Sequence, residues 1–172
     1  MKICISGLTG SGKTTLGDAL AKELGIEHVK PTYKSATKTE DGLIRLLETA
    51  SVRYIKDFDR DIVAMARGRD CVITTWHGPW IIRDATVRVW LLASLEERAR
   101  RIAKRGGKDM AYCERHIKEK DRLTMAQYRR AYGKDFDLSV MDLQMNYERM
   151  EQNEAVAVIS MLALSRDRKN FV

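Results

Sequence analysis

The hydrophobic and polar residues of this chain form two kinds of pattern, which follow each other along the sequence. Short runs of apolar, often β-branched residues predict strands, and stretches with apolar residues at spacings of three and four predict amphipathic helices. The strands are expected at residues 2–6, 26–29, 70–75, 86–92 and 142–146. Because helical stretches separate them, the chain is predicted to form a five-stranded parallel sheet with helices on both faces.

The helices are predicted from the same spacing and from residues typical of helix ends. Ser94 can begin one of them, since Glu97 stands three residues later as in a capping box, and Asp109 can begin the next. Glycines at 106, 107 and 133 then end these two helices. The helical stretches are expected at 13–24, 41–67 as one or two helices, 95–105, about 110–132 and 151–164.

The first strand leads directly into a glycine-rich loop. Residues 7–14, here called the phosphate loop, read G-L-T-G-S-G-K-T and fit the pattern G-x-x-x-x-G-K-[ST]. Glycines let the backbone turn so that its N–H groups point at phosphate oxygens, and the following helix presents its positive N-terminus to the same anion. The strand, loop and helix come in the order of a P-loop three-layer sandwich.

This motif predicts a site for ATP with Mg²⁺. Lys13 adds a point charge that bridges the β and γ phosphates, and Thr14 is placed to bind Mg²⁺ through its hydroxyl. The residues expected to bind the nucleotide are Gly7, Leu8, Thr9, Gly10, Ser11, Gly12, Lys13, Thr14 and Thr15.

The composition is that of one ordinary globular domain. The chain has 172 residues, 44% of them hydrophobic, and contains no uninterrupted apolar stretch of membrane-helix length. The N-terminus runs into the first strand without a charged leader, so a cytoplasmic protein is expected. Three scattered cysteines, Cys4, Cys71 and Cys113, are expected to be buried or free thiols, and the histidines have no metal-ligand spacing.

The net charge of +7 is concentrated in one segment. Residues 88–130 contain thirteen Lys or Arg against six Asp or Glu, which equals the whole excess. Such a segment can track a nucleic-acid backbone, but an enzyme that closes on two phosphorylated substrates needs the same charge. The phosphate loop favours the second interpretation, so a small-molecule partner is expected and a nucleic-acid partner is not.

Two features favour a kinase of anionic substrates over a water-activating NTPase. The strand that ends at Thr74 and Thr75 carries no Asp or Glu there, whereas a GTPase or motor core needs an acid at that point. Arg98, Arg101 and Arg105 share one helix face, and further arginines, Arg122 among them, follow on the next helix. Two such helices joined by Gly106 and Gly107 predict a closing lid.

Three stretches of this chain are similar to a known family. They are the phosphate loop, the run 85–91 (A-T-V-R-V-W-L) leading into 97–105, and the run from Tyr128 to Tyr132-Gly133 with the acidic residues after it. The chain resembles the nucleoside monophosphate kinases, and within them the archaeal-type cytidylate kinase family. The resemblance implies an adenylate-kinase-like fold and transfer of the ATP γ-phosphate to CMP or dCMP.

The resemblance also implies how one domain is divided. The core would comprise 1–30, 70–97 and 133–172, the helical monophosphate-binding insert 31–69, and the lid 98–132. Arg101 and Arg105 are expected to neutralise charge on the transferring phosphoryl group. The further candidates for contacts with substrate are Arg45, Arg53 and Arg60 for the acceptor phosphate, Arg98 and Arg122 in the lid, and Trp76 and Trp80 for stacking on a base.

The chain departs from the family at two places. Many members carry Glu-Gly-Arg after the third strand and Arg-Tyr in the lid, where this chain has Thr74-Thr75-Trp76 and Gln127-Tyr128. The acceptor must therefore be held by other groups. A short aromatic loop at 76–80, at the C-terminal end of a strand, is the second predicted site element.

Two alternatives to the kinase remain open at this stage. Residues 75–78 (T-W-H-G) resemble the Asp-x-His-Gly loop of adenylate-kinase-like ATPases that act in ribonucleoprotein assembly, with Thr75 in place of the acid. A non-catalytic, nucleotide-dependent module that docks RNA on the basic segment is the other. A monomer or weak dimer is expected in each case.

Overall fold

The central element of the protein is a parallel sheet. A computed structural model describes residues 1–31, 37 and 39–167, and the strands run in the order β2-β3-β1-β4-β5 with every neighbouring pair parallel. This confirms the five-stranded parallel sheet predicted from the sequence. The strands are β1 (Lys2–Gly7), β2 (Glu27–Val29), β3 (Cys71–Thr74), β4 (Val87–Leu92) and β5 (Leu143–Asn146).

The helices lie on both faces of this sheet, as predicted. Their bounds fall within a few residues of those expected, and the stretch 41–67 forms two helices. The helices are α1 (Lys13–Leu24), α2 (Glu40–Thr49), α3 (Val52–Met65), α4 (Gly78–Ile81), α5 (Leu95–Gly106), α6 (Met110–Tyr132) and α7 (Gln152–Asp167).

The predicted helix starts are confirmed by their side chains. The Ser94 hydroxyl accepts a hydrogen bond from the Glu97 N–H at 3.2 Å, and the Asp109 carboxylate accepts one from the Tyr112 N–H at 3.0 Å. Each bond satisfies one of the N–H groups that a helix leaves unpaired in its first turn. Gly107 and Gly133 then end α5 and α6 in the left-handed conformation.

Successive side chains of β1 divide the core between the two faces of the sheet. Ile3 and Ile5 pack with α1 and α7 on one face, and Cys4 packs with α3 and β3 on the other. The inner strands β1, β3 and β4 are largely buried on both faces, which explains why they read as apolar runs rather than as alternating ones. All three cysteines are buried, as expected.

The stretch 76–80 differs from its prediction as a loop. It turns after β3 and then enters α4, with Pro79 in the first turn. Proline is favoured there because its missing N–H and its fixed φ suit the first helical position. The Arg88 guanidinium accounts for the next turn, since it donates to the carbonyls of Pro79 at 2.9 Å and Ile82 at 3.1 Å.

Helix α6 packs against α2, α3 and α5, so the lid and insert segments contact each other. Its buried positions include Ile117, Asp121 and Tyr128. Within the described ranges, no helix combines the length and the apolar character that crossing a membrane requires.

Candidate active site

The C-terminal ends of the strands open onto one cavity of about 600 Å³. The phosphate loop and the start of α1 form one wall, and Thr74 and Thr75 at the end of β3 form the floor. Helices α2 and α3 close one side, and α5 and α6 close the other. The cavity lies where parallel sheets of this class bind their ligands.

All three glycines of the phosphate loop have a positive φ that other residues rarely adopt, and two of them line the cavity. Gly10 has φ +82° and Gly12 has φ +98°. A Cβ on Gly12 would lie 2.7 Å from the Tyr147 ring, and a Cβ on Gly10 would lie 2.9 Å from the Arg98 carbonyl. Both glycines are therefore required by backbone conformation and by space.

The ammonium group of Lys13 lies against the backbone of the phosphate loop. Its Nζ donates to the carbonyls of Gly7 at 2.7 Å and Leu8 at 2.9 Å, and it lies 5.1 Å from the Trp76 ring centroid. Desolvation, followed by the nearby charge of Lys120, lowers the pKa of Lys13 to about 7. Phosphate oxygens placed beside this ammonium would favour its charged form.

Further cations line the same part of the cavity. They come from four elements of the fold and are Lys13, Lys30, Arg101, Arg105 and Lys120. Lys120 faces the loop from α6, and Arg105 is an exposed residue on α5. A group of positive charges around a glycine-rich loop is suited to binding a polyphosphate.

Arg101 is held against the loop by three contacts. Its guanidinium donates to the Ser11 carbonyl at 3.0 Å, the Tyr147 carbonyl at 2.8 Å and the Glu97 carboxylate at 2.8 Å. It also lies 5.4 Å from the centroid of the Tyr147 ring. The side chain therefore joins α5 to the phosphate loop and to the segment after β5.

Lys30 is held in place through the first helix and the end of β3. Its ammonium contacts the Asp18 carboxylate at 2.6 Å, and the same carboxylate lies 2.9 Å from Nδ1 of His28. The other ring nitrogen of His28 lies 2.9 Å from the Thr74 hydroxyl. These contacts link α1, β2 and the end of β3.

Arg98 is not a free cation. Its guanidinium donates to the Asp121 carboxylate at 2.7 Å and to the Thr9 carbonyl at 2.9 Å, and Asp121 accepts the Thr9 N–H at 3.0 Å. All three residues are buried. The Arg98–Asp121 pair therefore binds both sides of one residue of the phosphate loop.

Another part of the cavity lining has a different chemistry. Leu43, Leu47, Phe58 and the half-buried Trp76 supply apolar surface. The buried Asp59 carboxylate lies beside them, with Nδ1 of His77 at 2.9 Å and the Tyr132 hydroxyl at 2.6 Å from its Oδ2. An apolar wall with a few polar groups is typical of a small-molecule site.

Comparisons with known proteins identify the family. The profile of the cytidylate kinase-like family matches residues 32–149. The chain is 34% identical to the cytidylate kinase of Pyrobaculum aerophilum, over 91% of this chain and 89% of that one. It is 33% identical to the cytidylate kinase of Sulfurisphaera tokodaii, over 92% of this chain and 93% of that one.

The chain belongs to the cytidylate kinase-like family. Its fold also resembles that of the shikimate kinase from Acinetobacter baumannii, with a TM-score of 0.61 and 17% identity over 95% of this chain and 93% of that one. The predicted P-loop kinase fold and the resemblance to archaeal cytidylate kinases are confirmed. The family gives no support to the two alternatives, an assembly ATPase and an RNA-binding module.

The structure brings the donor-site residues together. Residues of the phosphate loop line the cavity with Arg101, Arg105 and Trp76. Leu8 and Ser11 contribute carbonyl oxygens instead, to Lys13 and Arg101 respectively. Their roles towards a nucleotide stay predictions.

The other predicted substrate residues lie elsewhere. Arg45, Arg53 and Arg60 are exposed on α2 and α3, and the latter two pair with Asp57. Arg122 is exposed and pairs with Glu119. Helical periodicity turns these positions away from the cavity, so none of the four lines it.

Trp80 and Arg98 are corrected in a different way, because both are occupied by contacts within the protein. The Trp80 ring stacks on Phe136 at 4.4 Å between centroids, and its N–H donates to the Asp137 carbonyl. Arg98 is bound by Asp121, as described above. The predicted contacts with a base and with a phosphate are therefore replaced by packing and by an ion pair.

Sequence reasoning missed four residues of the site: Lys30, Asp59, Lys120 and Asp121. The sequence does contain a feature that marks the two acids. Asp59 and Asp121 both occupy positions on the apolar side of an amphipathic helix. Asp59 lies between Ile55 and Ile62 at spacings of four and three. A carboxylate within an apolar stripe needs a partner, and that requirement marks it as unusual.

Proposed function

We propose that this protein is a nucleoside monophosphate kinase that transfers the γ-phosphate of ATP to CMP or dCMP. The observation that carries the proposal is the polarity of its cavity. Lysine and arginine side chains line it together with the phosphate loop, and apolar and aromatic side chains with one carboxylate line it as well. The cations suit phosphates, and the apolar surface suits a base.

The reaction needs no general base from the protein. A phosphate oxygen of the acceptor is already ionised, and its bond to the γ-phosphorus forms as the bond to the leaving β-phosphate oxygen breaks. The products are ADP and a nucleoside diphosphate. Catalysis then depends on positioning and on neutralising charge.

Each cation has a distinct place in this scheme. Lys13 contacts the β and γ phosphates, and Arg101 and Arg105 neutralise the transferring group from the lid side. Lys30 and Lys120 approach the same space from β2 and α6, and they supply positive charge that Arg45, Arg53 and Arg60 do not bring. We include both lysines among the phosphate-binding groups.

The residues present fit a magnesium ion that arrives with the nucleotide. Thr14 lines the cavity in the first turn of α1, and its hydroxyl is the hard oxygen donor that Mg²⁺ prefers. Within the described residues, no group of three His, Cys, Asp or Glu side chains could hold a metal by itself. When bound, the ion would neutralise phosphate charge.

The supporting experiment is a substrate panel. CMP, dCMP, UMP, AMP, GMP and dTMP are each incubated with ATP and Mg²⁺, and diphosphate formation is measured. CMP and dCMP are expected to be the preferred acceptors. If ATP binds but no monophosphate is phosphorylated, the proposal is wrong.

Lys13→Ala gives the matched test of the donor site. The variant is expected to lose turnover while its circular dichroism spectrum and melting temperature show a folded protein. Lys22→Ala is the control, because Lys22 is an exposed lysine in the last turn of the same helix. Equal activity of the two variants would contradict the role given to Lys13.

A further inference from the structure

The lining of the cavity includes an unusual buried acid, Asp59. Asp59 is only 3% exposed, and of the described residues that line the cavity it is the one with an acidic side chain. It lies on α3, and the aromatic residues Phe58 and Trp76 line the same cavity. A carboxylate in such surroundings is costly unless each oxygen finds a hydrogen-bond donor.

The protein supplies donors mainly to one oxygen of this carboxylate. Oδ2 accepts from the Tyr132 hydroxyl at 2.6 Å and from Nδ1 of His77 at 2.9 Å. Among the described residues, Oδ1 receives only the longer contact from the same His77 nitrogen, at 3.1 Å. Since a carboxylate oxygen can accept two hydrogen bonds, Oδ1 keeps capacity for another donor.

His77 contributes a second polar atom to the same wall. The residue is 3% exposed, and its Nε2 is buried without a hydrogen-bond partner in the described part of the chain. The ring is held by Tyr128 and Phe136, whose centroids lie 5.1 Å and 6.0 Å away. His77 therefore orients the carboxylate, and the pair together presents unfilled hydrogen-bonding capacity beside an apolar pocket.

The chemistry of pyrimidine bases gives this capacity a use. Cytosine carries an exocyclic amino group that donates hydrogen bonds, whereas uracil and thymine carry an oxygen at the same ring position. A buried carboxylate accepts from the amino group and repels the oxygen. A site built to pair with a substrate N–H rejects an analogue that lacks it, because its own polar groups are then left unpaired.

We propose that Asp59, oriented by His77, is the specificity-determining residue that selects an amino-bearing pyrimidine over a keto-bearing one at the acceptor site. This inference rests on the proposed function and adds a named residue to it. Two features favour the base over a phosphate as the ligand of Asp59. The carboxylate would repel a phosphate, and the apolar side chains of Leu43, Leu47 and Phe58 line the same cavity and suit a base.

The decisive variant is Asp59→Asn, which keeps the shape of the side chain and removes its charge. The ratio of kcat/KM for CMP to kcat/KM for UMP is expected to fall by roughly 10- to 100-fold, as loss of a hydrogen bond to a charged group implies. The change should appear in the KM of the acceptor, while the KM of ATP stays the same. The asparagine amide can also donate to the uracil oxygen, which adds to the loss of selectivity.

Asp61→Asn is the matched control, because Asp61 is an exposed acid two residues away on the same helix. Its CMP to UMP ratio is expected to equal that of the unmodified protein. A folded Asp59→Asn variant with an unchanged ratio would overturn the inference while leaving the kinase assignment intact. Failure of the unmodified protein to phosphorylate CMP would instead refute the proposed function.

A measurement on the unmodified protein covers the case in which Asp59→Asn does not fold. The 5′-monophosphate of pyrimidin-2-one riboside lacks the amino group of CMP and is otherwise the same size. It is expected to have a kcat/KM roughly 10- to 100-fold below that of CMP. Equal kcat/KM values for the two acceptors would show that no group of the protein recognises the amino substituent, and would overturn the inference.

Discussion

Arg98 and Asp121 form a buried ion pair of 2.7 Å that connects α5, α6 and the phosphate loop. Arg98 also donates to the Thr9 carbonyl, and Asp121 accepts the Thr9 N–H. The peptide groups on both sides of Thr9 are thus bound by α5 and α6. The conformation of the loop depends on tertiary contacts as well as on its glycines.

Asp121→Asn is expected to destabilise the protein by about 3–5 kcal/mol, because it leaves the Arg98 guanidinium buried without a counter-charge. Urea unfolding measures this loss. Glu119→Gln is the control, since Glu119 makes a similar pair with Arg122 on the exposed side of the same helix. The control is expected to lose little or no stability, because an exposed ion pair is screened by solvent. Equal losses in the two variants would contradict the bracing role of Asp121.

The pH dependence of stability should report on Lys13. Its pKa is lowered to about 7 in the folded protein, against 10.5 for an ordinary lysine. Between these values the unfolded chain holds a proton that the folded protein lacks, so this group makes stability rise with pH, by about 1.4 kcal/mol per pH unit. The nucleotide-free protein is compared with Lys13→Met by urea unfolding from pH 7.5 to 9.

The upper pH limit of that comparison avoids a contribution of opposite sign. Burial raises the pKa of the Cys4 thiol, so above about pH 9 the unfolded chain loses a proton that the folded protein keeps. Cys4 therefore lowers stability as the pH rises further. Parallel stability curves for the unmodified protein and Lys13→Met, below that pH, would show that Lys13 has an ordinary pKa.

Arg101→Ala is expected to reduce kcat by on the order of a hundredfold, as removal of a transition-state charge partner does. Arg100→Ala is the control, because Arg100 is exposed on the same helix and pairs with Glu96 and Glu97. It should leave the rate within about twofold, as expected for an exposed pair. Initial rates with saturating ATP and CMP decide the question. If the two variants have the same rate, Arg101 acts only in packing.

Gly17→Ala tests whether α1 must approach the sheet closely. Alanine would favour the helix by about 0.5–1 kcal/mol, but its Cβ would lie 2.5 Å from the His28 ring and from the Thr74 methyl group. Overpacking of this kind costs about 1–3 kcal/mol, so we expect net destabilisation.

Gly106→Ala is the matched substitution in α5. Nothing lies within 4 Å of the position that its Cβ would take, so the change should be neutral or stabilise by up to about 1 kcal/mol. Thermal unfolding of both variants gives the comparison. A higher melting temperature for Gly17→Ala than for the unmodified protein would show that His28 can move aside without cost.

Sequence reasoning performed best where local chemistry decides the structure. Ser94, Asp109, Gly107 and Gly133 end or begin helices through bonds and dihedral angles of their own neighbourhood, and their positions were predicted within one or two residues. The error at 76–80 concerns a helix of only four residues, too short to show a periodic pattern of apolar positions. The turn that follows it is stabilised by Arg88 of the next strand, whose guanidinium binds carbonyls along it.

The candidate site divides in the same way. The sequence by itself determined the phosphate loop and its setting between a strand and a helix, because the backbone conformation there follows from glycines at defined spacings. It also predicted Arg98, Arg101 and Arg105 as a group on one helix face, and two of them, Arg101 and Arg105, line the cavity. These features depend on residues that are close together in the chain.

Only the tertiary structure decided which charged side chains enter the cavity. Arg98 and Arg101 share a helix face, yet Arg98 is bound by Asp121 while Arg101 contacts the loop. Asp59 and His77 meet from two separate elements. A buried charge can be free for a ligand or neutralised by a partner within the protein. Contacts between residues far apart in sequence decide which, and the local sequence pattern does not specify those contacts.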